Sequence, residues 1–319
     1  DFTEYIYPAT MHQTMLFFTR KGRCYWLKCY EIPEGDKNFK GRAIQNMLNI
    51  ESDDSVNALL RLRGLNDEEF VKSHYVVFAT KNGTVKKTCL EAYSRPRANG
   101  VNAINILDGD EVVDVRLTNG KNEIILANRN GRAVRFDEDA VRAMGRVSTG
   151  VRGMQLDGDD DQVVGMIIVN NADTETVMVV SENGYGKRSQ VEDYRKTNRG
   201  GKGVKTFSIT EKTGRLVAIK NVTDENDLMI INKSGIAIRL AVSDCRVMGR
   251  ATQGVRLINL SKKNDVIASV CKVMSSELEA KLADDQNTTG EQDSDAVQPV
   301  ADNAQNTDST EQAITTEQE

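Results

Sequence analysis

The chain has 319 residues, 39% hydrophobic and 28% charged, with 24 Gly, 4 Pro and one Trp, which is enough apolar content for a globular core. Its apolar runs fall well short of the roughly 18 residues of a membrane-spanning helix, and the opening Asp1-Phe2-Thr3-Glu4 has neither the basic nor the apolar stretch of a secretory signal. The formal net charge of -5 hides two opposed parts: residues 275–319 hold twelve acidic side chains against one basic, Lys281, and residues 1–274 hold 41 Lys and Arg against 35 Asp and Glu, a net of +6.

In chain order, a short leading run EYIYPAT (4–10) is followed by the hairpin pattern TMLFFTRKGRCYWLK (14–28), and this pair of signals recurs. SVNALLRL (55–62) precedes YVVFATKNGTVKK (75–87); EVVDVRL (111–117) precedes IILANRNGRAVRF (124–136); QVVGMII (162–168) precedes VMVVSENGYGKR (177–188); RLVAIKNV (215–222) precedes LMIINKSGIAIRL (228–240). Val-, Ile- and Phe-rich runs flanking a turn that ends in glycine read as hairpins, because glycine accepts the positive φ of a tight turn. A sixth leading run, DVIASVCKV (265–273), has no hairpin after it. Each turn glycine (Gly22, Gly83, Gly131, Gly184, Gly235) is answered by a second one (Gly41, Gly100, Gly150, Gly203, Gly254), 19 residues on in four repeats and 17 in the other.

A fixed spacing repeated five times predicts an all-β radial array, with about four short strands per repeat of about fifty residues. The predicted repeats run at about 4–54, 55–110, 111–161, 162–214 and 215–264, with a closing strand at 265–273. Six leading runs against five hairpins predict one missing hairpin, placed before Asp1. Short helical turns are expected only at 66–71 and 278–282. Residues 275–319, acidic and poor in aromatics, cannot bury enough apolar surface to offset chain entropy and are predicted to be a disordered tail.

The candidate binding residues are basic. Fourth after the turn glycines stand Trp26, Lys87, Arg135, Arg188 and Arg239, with Lys86, Arg132 and Lys187 close by, and Arg23 and Lys28 serving the first repeat. Around the second glycine come Lys37, Lys40 and Arg42; Arg95 and Arg97; Arg142, Arg146 and Arg152; Arg195, Lys196, Arg199, Lys202 and Lys205; and Arg246, Arg250 and Arg256. Equivalent positions of a radial repeat lie on one ring, so these charges are predicted to form a belt suited to an extended polyanion. Aromatic residues are 5% of the chain, and no recognition helix stands out, which favours backbone contact and bending over base readout. The loop RGGKG (Arg199, Gly200, Gly201, Lys202, Gly203) puts consecutive glycines between cations, a pattern that lets backbone N–H groups approach a phosphate. A metal site is not indicated: only His12 and His74 are present, and Cys24, Cys29, Cys89, Cys245 and Cys271 form no CxxC pair. The cysteines point to a reducing cytoplasm.

The strings FFTRKGRCYWLKCYEIPE (17–34), ATKNGTVKKTCLEAYSRPRANG (79–100), VRAMGRVSTGVRG (141–153), SENGYGKR (181–188) and VMGRATQGVRLI (247–258) resemble the C-terminal domain family of the bacterial DNA gyrase A protein, over residues 1–274. That resemblance implies a six-bladed β-pinwheel whose neighbouring blades exchange strands, five of the blades being visible here. It implies a basic rim that wraps double-stranded DNA, so that ATP-driven strand passage introduces negative supercoils. The parent would be an A2B2 type IIA topoisomerase with the gyrase B protein as partner, nucleoid-associated in the cytoplasm, using ATP and Mg2+ outside this region. The family's box, QRRGGKG, lies in its first blade; here Thr197 and Asn198 precede RGGKG in the fourth repeat, so this loop resembles the box at another blade's corresponding place. The resemblance puts the box, the DNA-cleaving tyrosine and its domain upstream, and leaves no catalytic residue in this region. The related domain of topoisomerase IV is the nearest alternative. A propeller serving as a protein-interaction scaffold is the alternative of another class, and would repeat exposed apolar residues rather than Lys and Arg.

Overall fold

A computed structural model describes residues 6–36, 39–260 and 265–275. It divides the chain at Ser276; the predicted tail and the turn expected at 278–282 lie outside the described residues. The described part is all-β apart from 3-10 turns and one short helix, Glu68–Ser73, whose first turn is capped by the Asp67 side chain accepting from Phe70 N at 3.0 Å. No helix among the described residues is long and apolar enough to cross a membrane.

Nineteen strands form five antiparallel sheets, or blades. The hairpins are Thr14–Thr19 with Arg23–Lys28, Tyr75–Thr80 with Thr84–Cys89, Glu123–Asn128 with Arg132–Asp137, Thr176–Ser181 with Tyr185–Gln190, and Asn226–Asn232 with Ala237–Ala241. The first strand of each hairpin pairs on its other side with the leading strand that follows it: Val56–Leu62, Val112–Thr118, Val163–Val169, Leu216–Val222 and Ile267–Met274. The second strand pairs with a two-residue strand lent by the next repeat: Val101–Asn102, Val151–Arg152, Val204–Lys205 and Val255–Arg256. Adjacent blades therefore exchange chain at the outer edge. The leading strands contact one another from blade to blade and form the inner rim, while the two-residue strands lie at the opposite, outer edges.

This pairing corrects two expectations. Each leading strand closes the hairpin before it, so the predicted repeat boundaries cut across blades. The run at 265–273 is then the fifth hairpin's own closing strand, and residues 6–10 form no strand. Among the described residues five hairpins meet five closing strands, and six leading runs no longer argue for a missing hairpin. What the fifth blade lacks there is an outer strand.

The core sits between blades. Val76 and Phe78 pack towards the first blade with Leu16 and Phe18, whereas Val77 and Ala79 pack towards the third with Ile124 and Leu126. Successive side chains of a strand point to opposite faces, and here both faces are covered. The middle strands accordingly read as unbroken apolar runs such as VMVV rather than as alternation. Phe18 meets Phe78 edge to face at 5.3 Å between ring centres.

Candidate nucleic-acid interface

The hairpin cations do not line a rim. Lys87, Arg135 and Arg188 are 6%, 6% and 5% exposed, and Lys86 and Lys187 are 0% and 1%. Burying a full charge without partners is costly, and each of these finds at least one backbone carbonyl in the next repeat. Lys87 Nζ donates to Glu138 O at 3.1 Å and lies over the Tyr75 ring. Arg135 donates to Val191 O and Tyr194 O, both at 3.0 Å, and pairs with Glu123 at 2.6 Å. Arg188 donates to Val242 O at 3.1 Å, to Thr176 Oγ1 and to Asp224. The acceptors Glu138, Val191 and Val242 each open the 3-10 turn of the following repeat, so this position clamps one blade to the next. Trp26 does the same in the first blade, its Nε1 donating to Tyr93 O at 2.9 Å in the turn Leu90–Tyr93. Lys86 Nζ reaches Ala103 O and Arg146 O, both at 2.6 Å, and Lys187 Nζ reaches Gly249 O at 2.7 Å. Burial pulls both lysines down to about 7.

Lys86, Lys87, Arg135, Lys187 and Arg188 are thereby withdrawn from the candidate surface: a phosphate could reach them only by opening an interface between blades. Arg239, in the fifth blade, is exposed but bonded to Asp227 and to Met274 O.

The exposed charge lies farther along each repeat. Arg142, Arg195 and Arg246 each follow the residue that caps a 3-10 turn, as Arg95 does after Ser94, and all four are exposed. On the two-residue outer strands, Arg152, Lys205 and Arg256 are exposed at one equivalent place. Arg97, Lys40 and Arg42 are exposed as well, Arg23, Lys28, Arg132 and Arg146 half-buried, and Lys37 lies outside the described residues. Arg256 and Arg23 rest beside tyrosine rings in their own blades, Tyr185 and Tyr25, at 5.7 and 5.9 Å. Recurrence at one register in successive blades spreads these cations along the outer edges at blade spacing.

The RGGKG loop is docked by its own groups. Gly200 N–H, at φ +83°, donates to Gly153 O at 2.7 Å, and Gly201 O accepts from Gln155 N at 3.0 Å. Arg199 reaches back to Ala140 O and Arg152 O, as Arg250 does to Asp193 O and Lys205 O. These bonds run opposite to the buried clamps, so the junctions of the third with the fourth repeat and of the fourth with the fifth are held in both directions. With Thr197, Asn198 and Arg195 the loop borders an open cleft of about 520 Å³. Lys202 pairs with Asp157 at 2.8 Å, which holds that carboxyl below its ordinary value, and Arg132 lies 3.3 Å from the same side chain.

Residues 13–63, 74–119, 122–170, 175–223 and 226–271 each match the family described as DNA gyrase C-terminal domain, beta-propeller. Every matched segment contains one hairpin and its closing strand, the unit the pairing defines. The chain belongs to this family. The DNA gyrase A protein of Staphylococcus aureus strain NCTC 8325 / PS 47 is 41% identical over 289 residues, 91% of this chain and 32% of that protein. Its counterpart in strain MRSA252 is 41% identical over 291 residues, with the same shares of 91% and 32%. The chain thus spans about a third of the length of these relatives. Among solved structures, the C-terminal domain of DNA topoisomerase IV superposes with a TM-score of 0.74 at 27% identity, covering 88% of this chain and 84% of that one. The DNA gyrase A C-terminal domain gives 0.72 at 23%, covering 83% and 84%. The two scores describe one fold and do not separate the two enzymes. Sequence does, and a gyrase A C-terminal β-pinwheel fits better than its topoisomerase IV counterpart.

Proposed function

We propose that this β-pinwheel binds duplex DNA along its outer edge and bends it, as the wrapping module of the gyrase A protein in a type IIA topoisomerase. The observation that carries this reading is the exposed arginine at one register in four successive repeats, Arg95, Arg142, Arg195 and Arg246, with Arg152, Lys205 and Arg256 on the outer strands. Cations at blade spacing neutralise successive phosphates without reading bases, and a curved row of them favours curved DNA. In the parent enzyme, the wrap would present a second DNA segment for ATP- and Mg2+-dependent passage carried out elsewhere, with the gyrase B protein as partner in a nucleoid-associated cytoplasmic complex. The scaffold alternative gains no support, because the shared exposed position is arginine. DNA affinity across a salt series tests the proposal: log affinity should fall by about 0.9 per phosphate neutralised for each unit of log salt. Ligation of bound nicked circles should trap a topoisomer shift. A flat salt response, or binding confined to one base sequence, would overturn it.

A further inference from the structure

A second concentration of charge lies on the inner rim and takes no part in the outer belt. The closing strands carry Arg61, Arg116, Lys220 and Lys272 in blades one, two, four and five. Arg116 and Lys220 occupy one register, opposite Val77 and Met178 of their hairpins, and Lys272 and Arg61 stand one residue further along, opposite Leu228 and Met15. The rim is knitted by polar contacts between closing strands. Asn57 Nδ2 donates to Val112 O, Met166 N to Asp114 Oδ2, Asn221 Nδ2 to Ile168 O, and Lys272 Nζ to Asn221 O at 2.9 Å.

Electrostatic coupling links the cations across this rim. Lys220 interacts electrostatically with Arg116 and Asp114, two blades away, and with Lys272; Lys272 interacts with Arg116, with Arg61 and with Glu175. These couplings join four positive charges to two carboxylates, and Arg61 also donates to Pro8 O. Asp114 is already committed, Oδ1 lying 3.1 Å from Arg116 Nε and Oδ2 accepting from Arg116 NH2 at 3.1 Å. Glu175 accepts from Asn170 and Asn221. Lys220 Nζ has no hydrogen-bond or ion-pair partner among the described residues. Ser269 Oγ, on the fifth closing strand at the register of Asp114, is buried without a hydrogen-bond partner. The half-exposed Lys220 ammonium and the buried Ser269 hydroxyl, neither bonded to an acceptor among the described residues, are donors that a multivalent anion could use.

We propose that the inner rim binds a multivalent phosphate-type oxyanion between Lys220, Arg116, Lys272 and Arg61. Its oxygens would accept from Lys220 and Lys272 and bridge the closing strands of non-adjacent blades, tying them across the centre. Burial and the neighbouring Arg116 draw Lys220 down to about 8; an anion beside it would return it towards the ordinary lysine range.

The test is calorimetric titration of inorganic pyrophosphate into the full chain at low salt, with Lys220→Gln, Lys272→Gln and the outer-edge double variant Arg195→Ala/Arg246→Ala in parallel. One pyrophosphate per chain is expected, with affinity at least tenfold weaker in each inner variant and unchanged in the outer one. Thermal melts should show pyrophosphate raising the Tm of the unaltered chain and of the outer variant but not of Lys220→Gln. If Lys220→Gln fails to fold, Lys272→Gln, altered at an exposed side chain, carries the comparison. Absence of saturable uptake, or equal weakening by the outer variant, overturns the inner-rim site. Neither result bears on DNA binding, whose readout is the outer variant's salt slope.

Discussion

Lys87, Arg135, Arg188 and Trp26 share a position and a task, although one of them carries no charge. What recurs is a long side chain with an N–H at its end, placed to meet a 3-10 carbonyl of the next repeat. Arg135→Ala would remove a guanidinium that bonds two carbonyls and Glu123, and hydrogen bonds from Arg135 and Lys196 are what hold Glu123 below the usual carboxylate range against its burial. The expected cost is about 3 kcal/mol of stability by urea denaturation. Arg142→Ala should leave stability within about 0.5 kcal/mol and lower the DNA salt slope by about one. The reverse assignment, with Arg135→Ala altering the salt slope and not the melt, would return the hairpin cations to the binding surface. Lys86 and Lys187 give a pH signature. Their folded-state values, about 7, lie below the ordinary 10.5, so between those limits the unfolded chain binds more protons and stability rises with pH. Each lysine contributes a slope of up to about 1.4 kcal/mol per pH unit. Denaturation midpoints from pH 7 to 9 should climb, and more shallowly in Lys86→Met.

At the scale of elements, the outer strand is the weakest joint, being two residues long and borrowed from the next repeat. Its geometry depends on the second glycine. Gly150 sits at φ +107°, and a Cβ there would stand 2.6 Å from Val85 O, closer than any real contact and in a backbone region that L-residues avoid. Gly150→Ala should therefore detach Val151–Arg152 from Thr84–Val85, at a cost of about 2 kcal/mol or more. Hydrogen exchange should quicken at Val85, Val151 and Gly153 while the inner strand Val112–Thr118 keeps its protection. Uniform loss of protection would mean that the blade unfolds as one unit.

For the whole molecule, charge is divided by radius: an outer set open to polyanions, an inter-blade set consumed by carbonyls, and an inner-rim set. Replacing Arg95, Arg142, Arg195 and Arg246 together by Ala should abolish the topoisomer shift on nicked circles while circular dichroism and Tm remain unchanged. A retained shift would place the DNA path elsewhere on the surface. The net -11 of residues 275–319 acts at the same scale, since it is tethered to a body of net +6. Truncation after Met274 should tighten DNA binding at low salt and have less effect as screening rises. Equal affinity of both forms at low salt would show that the acidic segment does not compete with DNA.

The sequence by itself determined the all-β class, the five hairpins and the family, because these rest on local rules: glycine where a turn needs positive φ, apolar runs where both faces are covered, and one spacing repeated five times. It also placed Arg142, Arg195 and Arg246, in polar loops between the hairpin and the second glycine, among the candidate cations, without separating them from the buried ones. Only the tertiary structure decided which strand closes which hairpin. Val56–Leu62 lies between two hairpins in the chain, and nothing local says whether it pairs backward or forward. Only the tertiary structure separated Arg135 from Arg142 as well. Both are arginines near a repeat's basic stretch, but one meets carbonyls donated by another blade and the other meets solvent. Burial of a charge is set by partners distant in sequence, and a repeat pattern reports that a position matters without saying what stands opposite. Trp26 marks the limit: only beside Tyr93 O does an indole become the counterpart of three cations.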